Sequence, residues 1–361
     1  MKVLMKGNEA IAEAAIRAGC KLYFGYPITP QSELIEYMAK KLPLCGGSFI
    51  QSESELAAIN MVYGAAASGK RVMTSSSSPG ISLKMEGISY MAGANLPMVV
   101  VNVQRGGPGL GDIQPAQTDY FQATKGGGHG GYSMIVLAPA SVQESANLTE
   151  KAFDLADKYR IPVMILTDGL LGQMMEPVEF FSQKTEKELQ ELNDQHLSWC
   201  LCKNDGKRKK HLVMAFDIDP KGLERKVLAQ KAKYETIQKN EIICENYNFK
   251  QDNQYLIIAF GTAARIAKTA IDELNQKGLN IGLIRPITLW PFPSLLIKQA
   301  LENNKNLKKI FVLELNLGQM VEDVRLATNE KIPIEFFGRA GGMVFSPEQI
   351  ISFIQKNKTK E

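Results

Sequence analysis

Residues 51–70 read QSESELAAINMVYGAAASGK, and this stretch decides the fold of the first half of the chain. Ser54 is a good helix N-cap, and Glu55 opens a helix whose following positions are small or apolar. Such a helix can pack closely against its neighbours, so that Glu55 is held partly dry at a helix N-terminus. A carboxylate shielded in this way can form a persistent hydrogen bond to a ring nitrogen, because water does not compete for it.

Short apolar runs alternate with helical patterns on both sides of this stretch, from residue 7 to about residue 167. The runs lie at residues 22–24, 71–74, 98–102, 134–137 and 163–167. This alternation predicts a parallel sheet covered by helices. Three helix starts are predicted: Thr29-Pro30 as N-cap and first helical residue, Ser54 as N-cap, and Ser141-Val142-Gln143-Glu144 as a capping box.

The chain changes character after about residue 180. Residues 181–252 are rich in Lys, Glu, Gln and Asn, which predicts a solvated linker or excursion. A second alternating pattern follows, with expected strands at 255–260, 281–284, 309–313 and 334–337 and a last helix opened by Ser346-Pro347-Glu348-Gln349. We therefore predict a first domain over residues 1–180, the polar segment over 181–252 and a smaller α/β domain over 253–361.

Composition narrows the class of protein. The chain of 361 residues has 42 Lys and Arg against 38 Asp and Glu, and this dispersed near balance argues against a nucleic-acid surface. The first residues, MKVLMKG, lack the apolar core of a signal peptide, and no apolar run is long enough to cross a bilayer, so we expect a cytoplasmic protein without a membrane partner. The five cysteines form no CxxC pair and no iron–sulfur spacing, so we expect neither a metal site nor a cluster in this chain.

Two further segments carry side chains suited to an organic anion. Arg105 is followed by glycines that let backbone approach a ligand, and an arginine can pair with a carboxylate through two parallel hydrogen bonds. Thr29 stands where an expected strand meets a helix, at the carboxyl end of a parallel strand, where ligands bind in such sheets.

Several motifs point together to one family. Residues 25–30 read GYPITP, residues 74–80 read TSSSSPG, residues 102–109 read NVQRGGPG, and the second half carries GTA at 261–263 and IRP at 284–286. In this order they resemble 2-oxoacid:ferredoxin oxidoreductases, and the resemblance covers nearly the whole chain outside the polar segment. The runs at 75–79, 104–111 and 125–130 look most like branched-chain members, which act on 3-methyl-2-oxobutanoate, and members acting on 2-oxoglutarate are the second candidate.

The resemblance implies an α/β fold class. A pyrimidine-type thiamine-diphosphate domain, with a parallel sheet and helices on both faces, is followed by a smaller domain similar to the C-terminal domain of transketolase. The spacing of Glu55, Ala58 and Gly64 resembles the glutamate, alanine and glycine of such pyrimidine domains. It implies that Glu55 pairs with N1′ of the aminopyrimidine and so promotes loss of the thiazolium C2 proton.

Other site residues are implied in the same way. Thr29 and Arg105 are the implied contacts of the 2-oxoacid. His129, a lone histidine among glycines, is expected to be a loop residue near the site rather than a catalyst. The residues implied to surround the cofactor besides Glu55 are Pro27, Ser77, Ser78, Pro79 and Gly80.

The resemblance also implies partners. The chain has no Gly-Asp-Gly followed by an asparagine, the pattern with which thiamine enzymes hold Mg²⁺ and diphosphate. Thiamine diphosphate is therefore implied to be shared with a diphosphate-binding subunit that also holds Mg²⁺. A ferredoxin-like subunit with iron–sulfur clusters is implied to pass electrons to ferredoxin, and a gamma-type subunit completes the complex. The implied reaction is oxidative decarboxylation of a 2-oxoacid to CO₂ and acyl-CoA, with coenzyme A as the acyl acceptor.

Plainer interpretations of these residues stay open at this point. Glu55 can merely offset the dipole of its helix, Thr29 can serve only as an N-cap, and Arg105 can be a surface arginine. Three charged residues lie at strand ends or turns of the second half: Arg285, Glu314 and Arg339. Ordinary surface ion pairs would explain them as well as a role in the site would.

Three other function classes compete. A non-redox thiamine enzyme would share Glu55. A dinucleotide-binding oxidoreductase fits the alternating pattern, but GYP stands at residues 25–27 where GxGxxG is expected. A non-catalytic scaffold subunit predicts that Glu55→Ala leaves activity intact.

Overall fold

A computed structural model describes residues 2–202, 206 and 209–358. Within them the chain forms a seven-stranded sheet, a five-stranded sheet and a two-stranded sheet. The strands are β1 (Val3–Lys6), β2 (Leu22–Gly25), β3 (Ser48–Gln51), β4 (Val72–Ser76), β5 (Met98–Gln104), β6 (Ile135–Leu137), β7 (Pro162–Asp168), β8 (Met175–Val178), β9 (Cys244–Tyr247), β10 (Tyr255–Ala259), β11 (Ile281–Pro286), β12 (Thr288–Trp290), β13 (Lys309–Glu314) and β14 (Ile334–Gly338). The helices are α1 (Gly7–Arg17), α2 (Ser32–Lys41), α3 (Glu55–Ala67), α4 (Ser78–Gly93), α5 (Tyr120–Thr124), α6 (Val142–Tyr159), α7 (Gly169–Gln173), α8 (Glu186–His196), α9 (Pro220–Asn240), α10 (Gly261–Gln276), α11 (Ser294–Asn303), α12 (Met320–Thr328) and α13 (Pro347–Asn357).

The seven-stranded sheet holds the first half of the chain in the order β12-β6-β7-β5-β4-β2-β3. Its strands run parallel except β12, which comes from the second half and pairs antiparallel with β6. Strands β4, β5 and β7 are buried along their whole length. Val99 and Val101 pack into one core on one face and Val100 into another on the opposite face, so both faces are covered. The carboxyl ends of the parallel strands therefore meet along one edge.

The five-stranded sheet holds most of the second half in the order β14-β13-β10-β11-β9. Strands β14, β13, β10 and β11 are parallel, whereas β9 is an antiparallel edge strand on β11. Helices α10 and α13 pack together over one face, with Ile257, Phe311 and Ile350 in their shared core. The small sheet pairs β1 with β8. Sequence patterns did not predict β1, β3, β8, β9 or β12, which are all short strands.

The segment that we expected to be a solvated linker or excursion contains helices α8 and α9 and strand β9. Helix α9 packs against the first sheet: Ile237 is fully buried, and Tyr234 contacts Trp290 of β12 edge to face. Strand β9 belongs to the second sheet. Most residues of α9 are exposed, and a few apolar side chains on one side dock it. Residues 203–205, 207 and 208 lie outside the described residues, and the domain boundaries stay a prediction.

Helix starts test the capping rules directly. Ser54 accepts from Ala57 N and Ser346 forms a complete capping box, so both predictions are confirmed. The prediction for Thr29-Pro30 was wrong, because α2 begins at Ser32 with Gln31 at the N-cap position. At Ser141 half of the box forms: the hydroxyl caps α6, but Glu144 turns to Ala140 N and to a buried arginine of the second half.

None of the described helices is long and apolar enough to span a bilayer. The described ranges also contain no group of three or more His, Cys, Asp or Glu side chains placed to hold a metal ion.

Candidate functional site

Four segments singled out in the sequence lie side by side at one edge of the first sheet. Strands β3, β2, β4 and β5 are neighbours in that order. The residues that follow their carboxyl ends are Glu55 after β3, Pro27 and Thr29 after β2, Ser77–Gly80 after β4 and Arg105 after β5. Because parallel strands end at the same edge, residues 76 positions apart in sequence, such as Thr29 and Arg105, come into contact.

Glu55 is the first residue of α3, and Ser54 caps the helix behind it. Its side chain is buried, with 6% of the residue exposed. No hydrogen bond or ion pair to the Glu55 carboxylate forms among the residues that the structure describes. A buried carboxylate normally has such partners, so this one is available to a ligand. Glu53, two residues earlier, is exposed.

The turn after β4 lies against Glu55. Gly80, in the first turn of α4, has no room for a side chain, because an added Cβ would stand 2.5 Å from Glu55 Oε1 and 2.1 Å from Ser76 Oγ. The hydroxyls of Ser76 and Ser77 are buried and have no hydrogen-bond partner among the described residues. Glu55, Ser76 and Ser77 thus bring three unsatisfied polar groups to this edge of the sheet.

Ser78 has a different role from its neighbour Ser77. Its Oγ donates to Asp119 Oδ2 at 2.6 Å and accepts from Arg105 N at 3.1 Å, while Ser78 N donates to Asn102 Oδ1. Asn102 Nδ2 also donates to Asp119 Oδ2. Burial raises the pKa of Asp119, although the hydrogen bonds from Ser78 and Asn102 act to lower it. This network ties the first turn of α4 to the end of β5 and holds Arg105 in place.

Arg105 is a buried cation without an acidic partner among the described residues. The residue is 6% exposed. Its Nη1 donates to Thr29 O at 3.0 Å and its Nη2 donates to Leu110 O at 2.9 Å. Nε is buried, and no hydrogen-bond partner for it lies in the part of the chain that the structure describes. Backbone carbonyls orient the guanidinium but do not neutralise its charge, so the site attracts an anion.

The remaining predicted residues occupy the surface. Pro27 and Thr29 are exposed at the end of β2, and Pro79 is half-buried at the start of α4. His129 is exposed and lines a groove of about 740 Å³ with Tyr63 and Tyr90. Its loop packs on the middle of α4, whereas Glu55 contacts the first turn of that helix. The structure therefore does not bring His129 to the Glu55 carboxylate.

Comparison with known proteins agrees with this geometry. Residues 13–201 match the model described as pyruvate flavodoxin/ferredoxin oxidoreductase, thiamine diphosphate-binding. The chain belongs to this oxidoreductase family. Residues 253–350 match core domain II of pyruvate:ferredoxin oxidoreductase. Both the predicted resemblance and the predicted cofactor class, thiamine diphosphate, are confirmed.

Relatives within the pyruvate flavodoxin/ferredoxin oxidoreductase family extend over the whole chain. The chain is 46% identical over 353 residues to ketoisovalerate oxidoreductase subunit VorB of Methanothermobacter thermautotrophicus, covering 98% of this chain and 97% of that protein. It is 35% identical over 371 residues to 2-oxoglutarate synthase subunit KorA of Methanocaldococcus jannaschii, covering 97% of this chain and 98% of that protein. Both relatives are named as subunits of larger enzymes.

Solved structures confirm the predicted fold class. The 2-oxoglutarate:ferredoxin oxidoreductase from Magnetococcus marinus, with 2-oxoglutarate, coenzyme A and succinyl-CoA bound, matches with a TM-score of 0.85 and 29% identity. That match covers 98% of this chain, which spans 65% of the larger chain. A split-gene transketolase in an inactive β4 tetramer matches with a TM-score of 0.57 and 14% identity over 98% of this chain and 97% of that chain, which supports the fold alone.

Two features of this family member were missed from the sequence. Asp119 organises Ser78 and Asn102, but it stands in an irregular segment where no pattern marks it. Lys84 is fully buried on α4, and its Nζ donates to Thr74 Oγ1 at 3.1 Å. A signal for Lys84 did exist, because the buried residues Ile81 and Ile88 lie three positions before and four after it, on the same helix face.

Proposed function

We propose that this chain is the pyrimidine-binding subunit of a 2-oxoacid:ferredoxin oxidoreductase that acts on 3-methyl-2-oxobutanoate. The complex would decarboxylate the oxoacid oxidatively, transfer the acyl group to coenzyme A and pass the electrons to ferredoxin. One observation carries the proposal: Glu55 is a buried residue whose carboxylate lies against Gly80 without a partner among the described residues, at the sheet edge where Arg105 also lies. The relation to ketoisovalerate oxidoreductase subunit VorB supports the choice of oxoacid.

The residues present fit the pyrimidine end of thiamine diphosphate. Glu55 offers a carboxylate without a partner among the described residues, Ser76 and Ser77 offer buried hydroxyls that are likewise without one, and Gly80 leaves the space that a Cβ would fill. When bound, the cofactor supplies a carbon nucleophile for the 2-oxo group. Glu55 would hold the proton at the ring nitrogen N1′, and the low exposure of this residue limits competition from water for that hydrogen bond.

Arg105 and Thr29 are suited to hold the oxoacid. The Arg105 guanidinium is already oriented by two carbonyls, so it can meet a carboxylate with little further ordering.

The partners are part of the proposal. A diphosphate-binding subunit would supply Mg²⁺ and the diphosphate site, since this sequence has no Gly-Asp-Gly motif. A ferredoxin-like subunit would hold iron–sulfur clusters, and a gamma-type subunit would complete the complex. The names of the relatives, which are all subunits, support a partnered chain.

The direct test is an assay of the assembled complex with a series of oxoacids. We expect reduction of ferredoxin that requires thiamine diphosphate and coenzyme A, with the highest kcat/KM for 3-methyl-2-oxobutanoate. A higher kcat/KM for 2-oxoglutarate would change the proposed substrate but leave the proposed reaction unchanged. Turnover that needs no thiamine diphosphate would overturn the proposal.

Replacing Arg105 with alanine should chiefly raise the KM for the oxoacid. The contact to a spectator carboxylate is similar in the ground and transition states, so kcat should change little. Steady-state kinetics of the complex would measure a KM increase of about tenfold or more, the usual worth of a charged hydrogen bond. Arg325→Ala, at an exposed arginine of α12, is the control. An unchanged KM in Arg105→Ala would show that Arg105 does not bind the oxoacid.

Replacing Gly80 with alanine should weaken the binding of thiamine diphosphate. The new Cβ would displace Glu55 and Ser76, and overpacking of this kind costs about 1 to 3 kcal/mol, or roughly fivefold to 150-fold in the cofactor Kd. Gly87→Ala is the matched control on the same helix, because the three atoms nearest its added Cβ all belong to Ile59 and none to Glu55 or Ser76. Equal cofactor affinity in the two variants would contradict the placement of the cofactor against Gly80.

A further inference from the structure

Gln117 joins the segment beside the site to the second half of the chain. It is 1% exposed. Its Nε2 donates to Phe260 O at 2.9 Å, and its Oε1 accepts from Leu315 N at 3.0 Å. Its backbone N donates to Leu315 O at 2.9 Å, and its backbone carbonyl accepts from Asn316 Nδ2 at 2.7 Å. All four of these hydrogen bonds lead to the second half.

The strand ends that Gln117 contacts have a special place in the second sheet. Phe260 follows β10 and Leu315 follows β13, and these two strands are parallel neighbours. The next strand after β10, which is β11, lies on its other side, so the strand order reverses between β10 and β13. Open α/β sheets normally bind their ligands outside the carboxyl ends of the strands at such a reversal. In this chain the side chain of Gln117, from the first half, bridges the two strand ends there.

The segment around Gln117 is also tied to Arg105. Pro115, two residues before Gln117, forms a β-bridge with Arg105. Asp119, two residues after Gln117, accepts from Ser78 Oγ at 2.6 Å, and that oxygen accepts from Arg105 N at 3.1 Å. Gln117 therefore stands between two contacts through which this segment reaches Arg105.

We infer that Gln117 is a positioning residue that uses the second sheet as a support for Arg105 and thereby raises the affinity of the site for the oxoacid. A guanidinium that is already held in place loses little freedom when it binds a carboxylate, so loosening its support weakens binding. Glu55 follows β3, two strands further from β5 than β4, and should be little affected. The effect on oxoacid affinity rests on the proposed function of Arg105, whereas the mechanical support does not.

Hydrogen–deuterium exchange of the full chain measures the support without substrate or partner. Leucine at position 117 keeps a similar volume but gives up the hydrogen bonds to Phe260 and Leu315. We expect the Arg105 amide to exchange roughly five- to tenfold faster in Gln117→Leu than in the wild type, the usual worth of about one hydrogen bond. The Glu55 amide should exchange as in the wild type. Unchanged exchange at Arg105 would overturn the inference.

Arg265→Ala is the control for a general loosening of the two halves. Arg265 also joins the second half to the first, but through Ala140 O and Glu176. Its loss should leave exchange at Arg105 unchanged, and an equal increase in both variants would reject a specific role of Gln117. If Gln117→Leu fails to fold, Gln117→Asn replaces it, because this shorter amide stays polar but does not reach both strand ends.

Kinetics of the assembled complex test the effect on affinity. We expect Gln117→Leu to raise the KM for the oxoacid about three- to tenfold, with kcat and the Kd of thiamine diphosphate within about twofold of the wild type. In an Arg105→Ala background the same substitution should change KM by less than about twofold, because the residue through which Gln117 acts is gone. Multiplicative effects of the two substitutions on KM would overturn the inference.

The two experiments separate the inference from the proposed function. If Arg105→Ala alone leaves the KM unchanged, the proposed binding role of Arg105 fails, and the effect of Gln117 on affinity fails with it. Faster exchange at Arg105 in Gln117→Leu would still establish the mechanical support in that case.

Discussion

Glu55→Gln is expected to lower the turnover of the assembled complex by about two orders of magnitude or more, the usual size of a lost proton-transfer aid. Glutamine keeps the shape of the side chain but cannot hold the proton at N1′ of the cofactor. The Glu55 carboxylate has no structural partner among the described residues, so the substitution breaks no hydrogen bond of the fold described here. The measurement is kcat at saturating thiamine diphosphate, coenzyme A and oxoacid, with assembly checked by gel filtration.

Glu53→Gln is the matched control for this prediction. Glu53 is exposed and lies two residues before Glu55, so its loss should leave turnover within about twofold of the wild type. The helix-dipole interpretation of Glu55 predicts a different pattern: a loss of about 0.3 to 1 kcal/mol in stability and normal turnover. Near-normal kcat in Glu55→Gln with the complex intact would favour that interpretation and reject the catalytic assignment.

Arg285→Ala should destabilise the chain by about 3 kcal/mol, the lower end of the cost of breaking a buried ion pair. Arg285 is 1% exposed on β11. Its two terminal nitrogens donate to Glu144 of α6 at 2.6 and 2.9 Å, and its Nε donates to Glu245 of β9. Although burial acts to lower it, the pKa of Arg285 is raised by the hydrogen bonds and charges of Glu144 and Glu245. Alanine would leave Glu144 without its cation, whereas Glu245 would keep its ion pair with Lys268 at 2.6 Å; this pair and the partial exposure of both carboxylates limit the cost.

Arg265→Ala is the control for Arg285. Arg265 Nη2 pairs with Glu176 at 2.7 Å, but this pair is more exposed to solvent, so its loss should cost less than about 1 kcal/mol. Urea denaturation of both variants, followed by circular dichroism, measures the difference. If Arg285→Ala were no more destabilising than Arg265→Ala, the ion network would not hold the two sheets together.

Arg285 and Glu314, at strand ends of the second half, test the interpretation that such residues have a structural rather than a functional role. The sequence analysis allowed both residues to form ordinary pairs with neighbouring groups. In the structure both side chains are buried, and both form contacts that stabilise the fold. Glu314, at the end of β13, accepts from Met320 N at 2.8 Å and Val321 N at 2.9 Å at the start of α12. Burial raises its pKa, although these backbone hydrogen bonds act to lower it.

Local patterns in the sequence predicted the long parallel strands and the helix that Glu55 opens. They succeeded there because buried parallel strands need continuous apolar runs, and because Ser54 satisfies a backbone N–H of its own helix whatever surrounds it. They failed for α9, β9 and β12, since short edge strands and a mostly polar helix gain their stability from surfaces that no local pattern shows.

By itself, the sequence determined which side chains stand at the start of each helix and the end of each strand, Glu55 and Arg105 among them. Only the tertiary structure decided what those side chains meet: that Gly80 leaves the Glu55 carboxylate its space and that carbonyls of Thr29 and Leu110 orient Arg105. The physical reason is that charge and burial act through space. The strength of an electrostatic contact depends on the local dielectric, which is set by the packing of segments distant in sequence. The spacing of residues in the sequence does not show how those segments pack.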